Sequence, residues 1–238
     1  MLLTLALATF PALAQPASPA QGCDAAALYI ARGDYNRALT VLATATGKGA
    51  SSADRFNLKG IAQLMSNEPA AALMTFQRAL EMASGHPEAQ FNHALTLLRL
   101  RRFVESAREL ELIYGTTGSP YRARAAYHHA LADDALNERM RALEWLQKAL
   151  ALNREYDDAI LYLGFMFEKT KQFEEAGKTY KAFLTRHPHS PVAMLGFARC
   201  AQRSGFGETA RQYFEKVLKE APGTPEAIEA QKYALLWE

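Results

Sequence analysis

The chain has 238 residues, 49% of them apolar, which is enough to bury a sizeable core. Its 27 Lys and Arg against 25 Asp and Glu leave a formal charge of +2, so no basic footprint for nucleic acid is present. Two cysteines cannot build a disulfide framework.

The first element is the run from Leu2 to Leu13, apolar and helix-forming. A membrane span needs about 20 apolar residues, so this run is too short to cross a bilayer. It ends in Ala12-Leu13-Ala14, the small-x-small pattern of a signal peptidase site. The pattern predicts a signal peptide over 1–14, cleavage after Ala14, a Pro- and Ser-containing linker over 15–18, and export to the periplasm. No Lys or Arg precedes the run, which a secretory signal normally carries, and this keeps a cytoplasmic chain as the alternative. Cys23, preceded by Gly22, offers lipid anchoring as a further alternative. Gln21 and Ala20, and the early end of the apolar run, count against it.

From Pro19 onward the sequence repeats itself, in blocks that begin at Pro19, Ala53, Pro87, Ala123, Asp157, Pro191 and Pro225. The step is 34 residues each time except the third, which is 36. Position 8 of the six full blocks is Ala26, Gly60, Ala94, Ala130, Gly164 and Ala198; position 20 is Ala38, Ala72, Ser106, Ala142, Ala176 and Ala210. Small side chains at both positions are what two antiparallel helices need where they cross closely. Position 24 is large and apolar (Leu42, Phe76, Leu110, Leu146, Tyr180, Phe214), and position 27 is apolar as well (Ala45, Ala79, Ile113, Ala149, Phe183, Val217).

The boundaries agree with this register. Pro19, Pro87, Pro191 and Pro225 stand at position 1, where proline suits a first helical turn, and Ser190 and Thr224 precede two of them as N-caps. Pro188 and Pro222 help to end second helices. Position 15 is Gly33, Asn67, Asn137 or Gly205 in four blocks, residues that tolerate the left-handed backbone of a tight turn. The two extra residues fall in the loop 114–121, where a tolerated surface insertion is preferred to a bend in the superhelix.

This pattern resembles the tetratricopeptide repeat, whose period it matches. Repeats five and six carry the resemblance best, as in Ile160, Leu163, Gly164 and Phe167 followed by Phe173, Ala176 and Tyr180. Repeats three and four depart at Ser106, Ile113, Asp133 and Arg139. The resemblance implies an all-α, right-handed superhelical solenoid of six hairpins (19–52, 53–86, 87–122, 123–156, 157–190, 191–224) plus a capping helix over 225–237. Lys232 in that last helix replaces the small residue of position 8, because no second helix approaches it.

The resemblance also implies a non-catalytic scaffold that holds a protein or peptide partner in a concave groove lined by first helices. Its groove positions give Asn57, Phe91, Asn92, Leu95, Arg124, Tyr127, His128, Tyr162 and Phe165, aromatic rings interleaved with amides and a cation. Compared with the carboxylate clamp of tetratricopeptide co-chaperones, the chain offers Asn57, Ile61, Asn92, Arg124 and His128; the first cation and first Asn of the clamp are absent. An extended or helical segment therefore fits better than a terminal carboxylate. Six repeats after an export signal are similar to the pilotins that help assemble type IV pilus secretins, although those are lipoproteins. A cytoplasmic adaptor and a self-assembling protein are the alternatives.

No phosphate loop, serine elbow or Cys–His signature is present, and adjacent pairs such as Asp157-Asp158 point to different faces of a helix. His93 and His129 share position 7, a packing position, and His187 and His189 lack a ligand set, so no metal and no cofactor are expected. Cys23 and Cys200 sit in the first and last full repeats, too far apart in a solenoid to bond, with Cys200 expected in the core.

Overall fold

The structure, a computed structural model, describes residues 22–44 and 51–234. The predicted signal peptide over 1–14, its cleavage point after Ala14, the linker over 15–18, Pro19, Ala45 and the end of the capping helix lie outside those residues.

Among the described residues there are thirteen helices and no strand. In chain order they are α1 (Cys23–Ala31), α2 (Tyr35–Thr44), α3 (Ser52–Met65), α4 (Pro69–Met82), α5 (Pro87–Arg99), α6 (Phe103–Gly115) and α7 (Arg122–Ala135). They continue as α8 (Arg139–Leu152), α9 (Asp157–Lys169), α10 (Phe173–Arg186), α11 (Pro191–Arg203), α12 (Gly207–Glu220) and α13 (Pro225–Ala234). Every second helix starts at position 17 of its block: Tyr35, Pro69, Phe103, Arg139, Phe173 and Gly207. Pro87, Pro191 and Pro225 open their helices, and Ser190 and Thr224 accept the backbone N–H of Ala193 and Ala227. Ser51 and Asp54 form a reciprocal capping box on α3.

All six hairpin turns share one backbone solution. The N–H of position 16 donates to the carbonyl of position 11 at 2.8–2.9 Å, as from Asp34 to Tyr29 and from Phe206 to Ala201. Position 15 between them has positive φ, which is the Schellman way to end a helix. Gly33, Gly205, Asn67 and Asn137 adopt it as expected. In the other two turns Arg101 (φ 62) and Lys171 (φ 62) take the same left-handed conformation, where a Cβ is strained.

Packing follows the register. The alanines at positions 8 and 20 and Ser106 are 0% exposed, and Gly60 and Gly164 are buried with them. Ser106 is no defect in the pattern, because its hydroxyl donates to the Ala94 carbonyl at 2.8 Å across the crossing. Position 24 lies over position 8: a Cβ on Gly60 would stand 2.6 Å from the Phe76 ring, and one on Gly164 2.7 Å from the Tyr180 ring. Repeats with leucine at position 24 carry alanine at position 8 instead. In the sixth hairpin, where position 8 is Ala198, Phe214 stacks on Tyr233 of α13 with centroids 4.7 Å apart and planes at 10°.

The chain divides into two compact units, Met1–Glu109 and Leu110–Glu238, with the boundary inside α6. In the first, α1, α3 and α5 touch in succession, backed by α2 and α4. In the second, α9, α11 and α13 form a similar inner row, backed by α10 and α12, and the α7–α8 hairpin packs on α9 through α8.

Two substitutions separate the packing constraint from the backbone one. Gly164→Ala should lower unfolding stability by about 1–3 kcal/mol, because the Tyr180 ring must move. Lys171→Gly should raise it by about 1 kcal/mol by relieving the left-handed strain. Urea denaturation followed by circular dichroism reads both.

Candidate functional site

The nine residues read from sequence as a groove fall into two groups by burial. Asn57 (2% exposed), Phe91 (1%) and His128 (5%) are packed inside. Asn92, Leu95, Arg124, Tyr127, Tyr162 and Phe165 are partly exposed. For Asn57 and Phe91 the physical cause is contact between successive first helices, which covers one edge of each inner stripe.

In the first unit, Asn92 donates its amide to Asn57 Oδ1 at 3.1 Å, so the two amides satisfy each other in part. Arg99 reaches back one repeat to the Leu64 carbonyl (3.2 Å) and Asn67 Oδ1 (2.9 Å), which fastens the α3–α4 turn. Leu95 is half-buried beside this polar pair.

In the second unit, the partly exposed residues join a ladder of rings. Tyr127 and Tyr156 have centroids 5.2 Å apart at 54°, Tyr127 and Tyr162 are 6.1 Å apart at 83°, and Tyr162 and Phe165 are 5.6 Å apart at 38°. Tyr162 donates to Asp134 Oδ2 at 2.7 Å, and Lys169 pairs with the other oxygen of the same carboxylate. The Lys169 ammonium lies 5.5 Å from the Phe165 ring centroid. Burial raises the Tyr127, Tyr156 and Tyr162 phenols, Tyr156 to about 12, so all three are neutral donors at physiological pH. Burial, and then the Arg124 charge, push the His128 imidazole down to about 3.

Next along the inner row, Arg199 binds Glu168 with two nitrogens at 2.8 Å and Glu229 of α13 at 2.9 Å, while Tyr180 donates to Glu168 at 2.7 Å. Burial works against the Arg199 charge; Glu168 more than offsets it and holds the guanidinium above its usual range. This network ties α9, α10, α11 and α13 together. Burial, reinforced by Glu168, pushes the Cys200 thiol up to about 12, and the residue is in the core as its position suggests.

Sequence reasoning missed Tyr156, Asp134, Asp158 and Lys169. Asp134, Asp158 and Lys169 stand at positions 12, 2 and 13, inner positions already assigned in the repeat frame, so the register could have found them. Tyr156 lies in the turn before α9, outside the helical frame. Among the histidines, His93 pairs with Glu109 at 2.8 Å, and His129 is buried against Trp145 with ring centroids 4.0 Å apart. Among the described residues no group of three or more His, Cys, Asp or Glu is arranged to hold a metal ion. No described helix is long and apolar enough to cross a membrane.

This architecture is that of a repeat protein built from successive antiparallel helix hairpins. Models described as tetratricopeptide repeat match residues 23–87, 57–120 and 169–232, together more than half of the chain. The chain belongs to the tetratricopeptide-repeat family. It is similar to the type IV pilus assembly protein PilF of Pseudomonas aeruginosa, with 24% identity over 203 residues, 85% of this chain and 81% of the relative. The solved structure of Pseudomonas aeruginosa PilF matches with a TM-score of 0.75 and 23% identity, over 89% of this chain and 95% of the other. PilW, described as a widely conserved type IV pilus biogenesis factor, matches with a TM-score of 0.77 and 18% identity, over 86% and 94%. YrrB, described as having an unusual peptide-binding site, matches with a TM-score of 0.60 and 20% identity, over 76% and 92%.

The buried His128 makes a pH prediction. Its pKa is lower folded than unfolded, so the unfolded chain takes up the extra proton as pH falls below about 6.5, and the stability contributed by the neutral ring is lost toward pH 3. Between pH 6 and 4 the wild-type protein should lose on the order of 1 kcal/mol per pH unit more than His128→Gln. Urea titrations of the two proteins across that range test it.

Proposed function

We propose that this protein is a non-catalytic scaffold or assembly factor of the bacterial cell envelope, exported to the periplasm, which holds a segment of a partner protein against its inner helices. The ladder of half-exposed rings on α7 and α9, fixed by Tyr162–Asp134 and Lys169–Asp134, is the observation that carries the reading. Rings held in place offer large contact area at small entropic cost, and the Tyr127 and Tyr156 hydroxyls can supply hydrogen bonds to a backbone. Similarity to proteins named for type IV pilus assembly and biogenesis supports a role in pilus assembly. The small-x-small site ending at Ala14 supports export. A cytoplasmic adaptor that binds a partner on the same face is the second reading.

Tyr127→Ala and Phe165→Ala should each weaken binding of the partner captured on wild-type protein by roughly tenfold, the loss of one ring contact, with helicity and melting unchanged. Unaltered binding in both variants would move the site off this face. Mass spectrometry of the mature N-terminus tests location: Gln15 at the end is expected, a diacylated Cys23 would identify a lipoprotein, and an intact Met1 would favour the cytoplasmic adaptor.

A further inference from the structure

One combination of groups occurs twice on the inner face of the second unit. At Phe165 it is complete: the ring carries the Lys169 ammonium, and the Asp134 carboxylate balances that charge. At the start of α9 the rings and the carboxylate are present again. Tyr127 and Tyr156 meet at 54°, and Tyr162 stands at 83° to Tyr127, so three ring planes face different ways around one corner. Asp158 follows Tyr156 by two residues at the start of α9, which places it beside this corner. It is exposed in the first turn of α9, and its charge bears on both the Tyr127 and Tyr156 phenols.

What distinguishes this corner is a carboxylate that no Lys, Arg or His of the described residues pairs with. Asp157 is engaged by Arg186 at 3.2 Å and His187 at 2.9 Å. Among the described residues Asp158 has no ion pair, and burial together with repulsion from Asp157 raises its carboxyl. The Arg124 charge acts on Tyr156 as well, but its guanidinium lies over the Tyr121 ring, 5.6 Å from the centroid.

We propose that Tyr127, Tyr156 and Asp158 form a subsite for one basic side chain, Lys or Arg, of an extended partner segment lying along this face. The negative faces of aromatic rings attract a cation, and the carboxylate fixes its charged end. An acidic side chain would meet Asp158 and be repelled; an apolar one would cover a carboxylate that has no counter-charge. The inference rests on the reading that this face binds a partner segment, and it adds the sign of the charge that the segment carries.

The test uses the full chain with ring-labelled tyrosine, observed by NMR and assigned with Tyr→Phe variants. It is titrated with a blocked glycine–arginine–glycine tripeptide and with the same peptide carrying uncharged citrulline. The arginine peptide should move the Tyr127 and Tyr156 signals saturably and bind roughly five- to tenfold more tightly than the citrulline peptide. Asp158→Asn, an exposed change that leaves the fold intact by circular dichroism, should bring the two peptides to within about twofold of each other. Equal binding of both peptides, an undiminished arginine preference in Asp158→Asn, or no movement of either ring would overturn the subsite. A partner that is still lost on Phe165→Ala would then leave the binding face standing. An arginine preference together with a partner indifferent to Phe165→Ala would sink the groove reading instead.

Discussion

The six hairpins depend on one close crossing, made by the small residues at positions 8 and 20. At that distance no side chain larger than a methyl or hydroxymethyl fits, and the Ser106 hydroxyl is accommodated only because it donates to the Ala94 carbonyl. The crossing then governs the residue above it. Where position 24 is a ring lying flat on the first helix, as with Phe76 and Tyr180, position 8 gives up its Cβ altogether. Where position 24 is leucine, alanine suffices. The first five hairpins thus solve one volume problem with a matched pair of residues, and tight packing makes the pair hard to change singly.

Because that constraint returns every 34 residues, the architecture was legible in the sequence. The start of every second helix falls at the same position of its block, and the prolines and Ser or Thr caps stand where the spacing places them. Two features were not legible for a reason of chemistry. Arg101 and Lys171 occupy left-handed turns that glycine or asparagine fill elsewhere, and nothing in either side chain announces a positive φ; the hydrogen bonds around the turn impose it. The candidate groove was legible only in part. A helical stripe names the residues on one side of a helix but not how far the neighbouring helix covers them, so Asn57, Phe91 and His128 were grouped with Tyr127 and Phe165 although they lie inside. Tyr156 escaped because it belongs to a turn, and the repeat frame speaks only about helices.

The inner face of the second unit is also more committed than a list of groove positions conveys. Most of its charges are already matched within the chain: Lys169 by Asp134, Arg199 by Glu168 and Glu229. These pairs cross from one first helix to the next, so they hold successive hairpins in register. They also neutralise these charges within the chain itself. The Tyr162 hydroxyl is fixed by Asp134 and the Phe165 ring lies under Lys169, so both rings are held in place before any contact is made.

That division of labour bears on how chains of this fold differ from one another. Proteins that share the backbone but only about a fifth of their residues must agree where helices cross, since the crossing admits few side chains. Their freedom to differ lies at positions the crossing does not touch, and the inner faces of first helices are among these. Selectivity for a partner should therefore reside in residues such as Tyr127, Tyr156 and Asp158, which do not set the register of the hairpins. The same backbone can then present rings with a balanced charge in one place and rings with an unmatched carboxylate in another. In this chain both border α9, one at each end, and among the described residues only the carboxylate of the second has no ion pair.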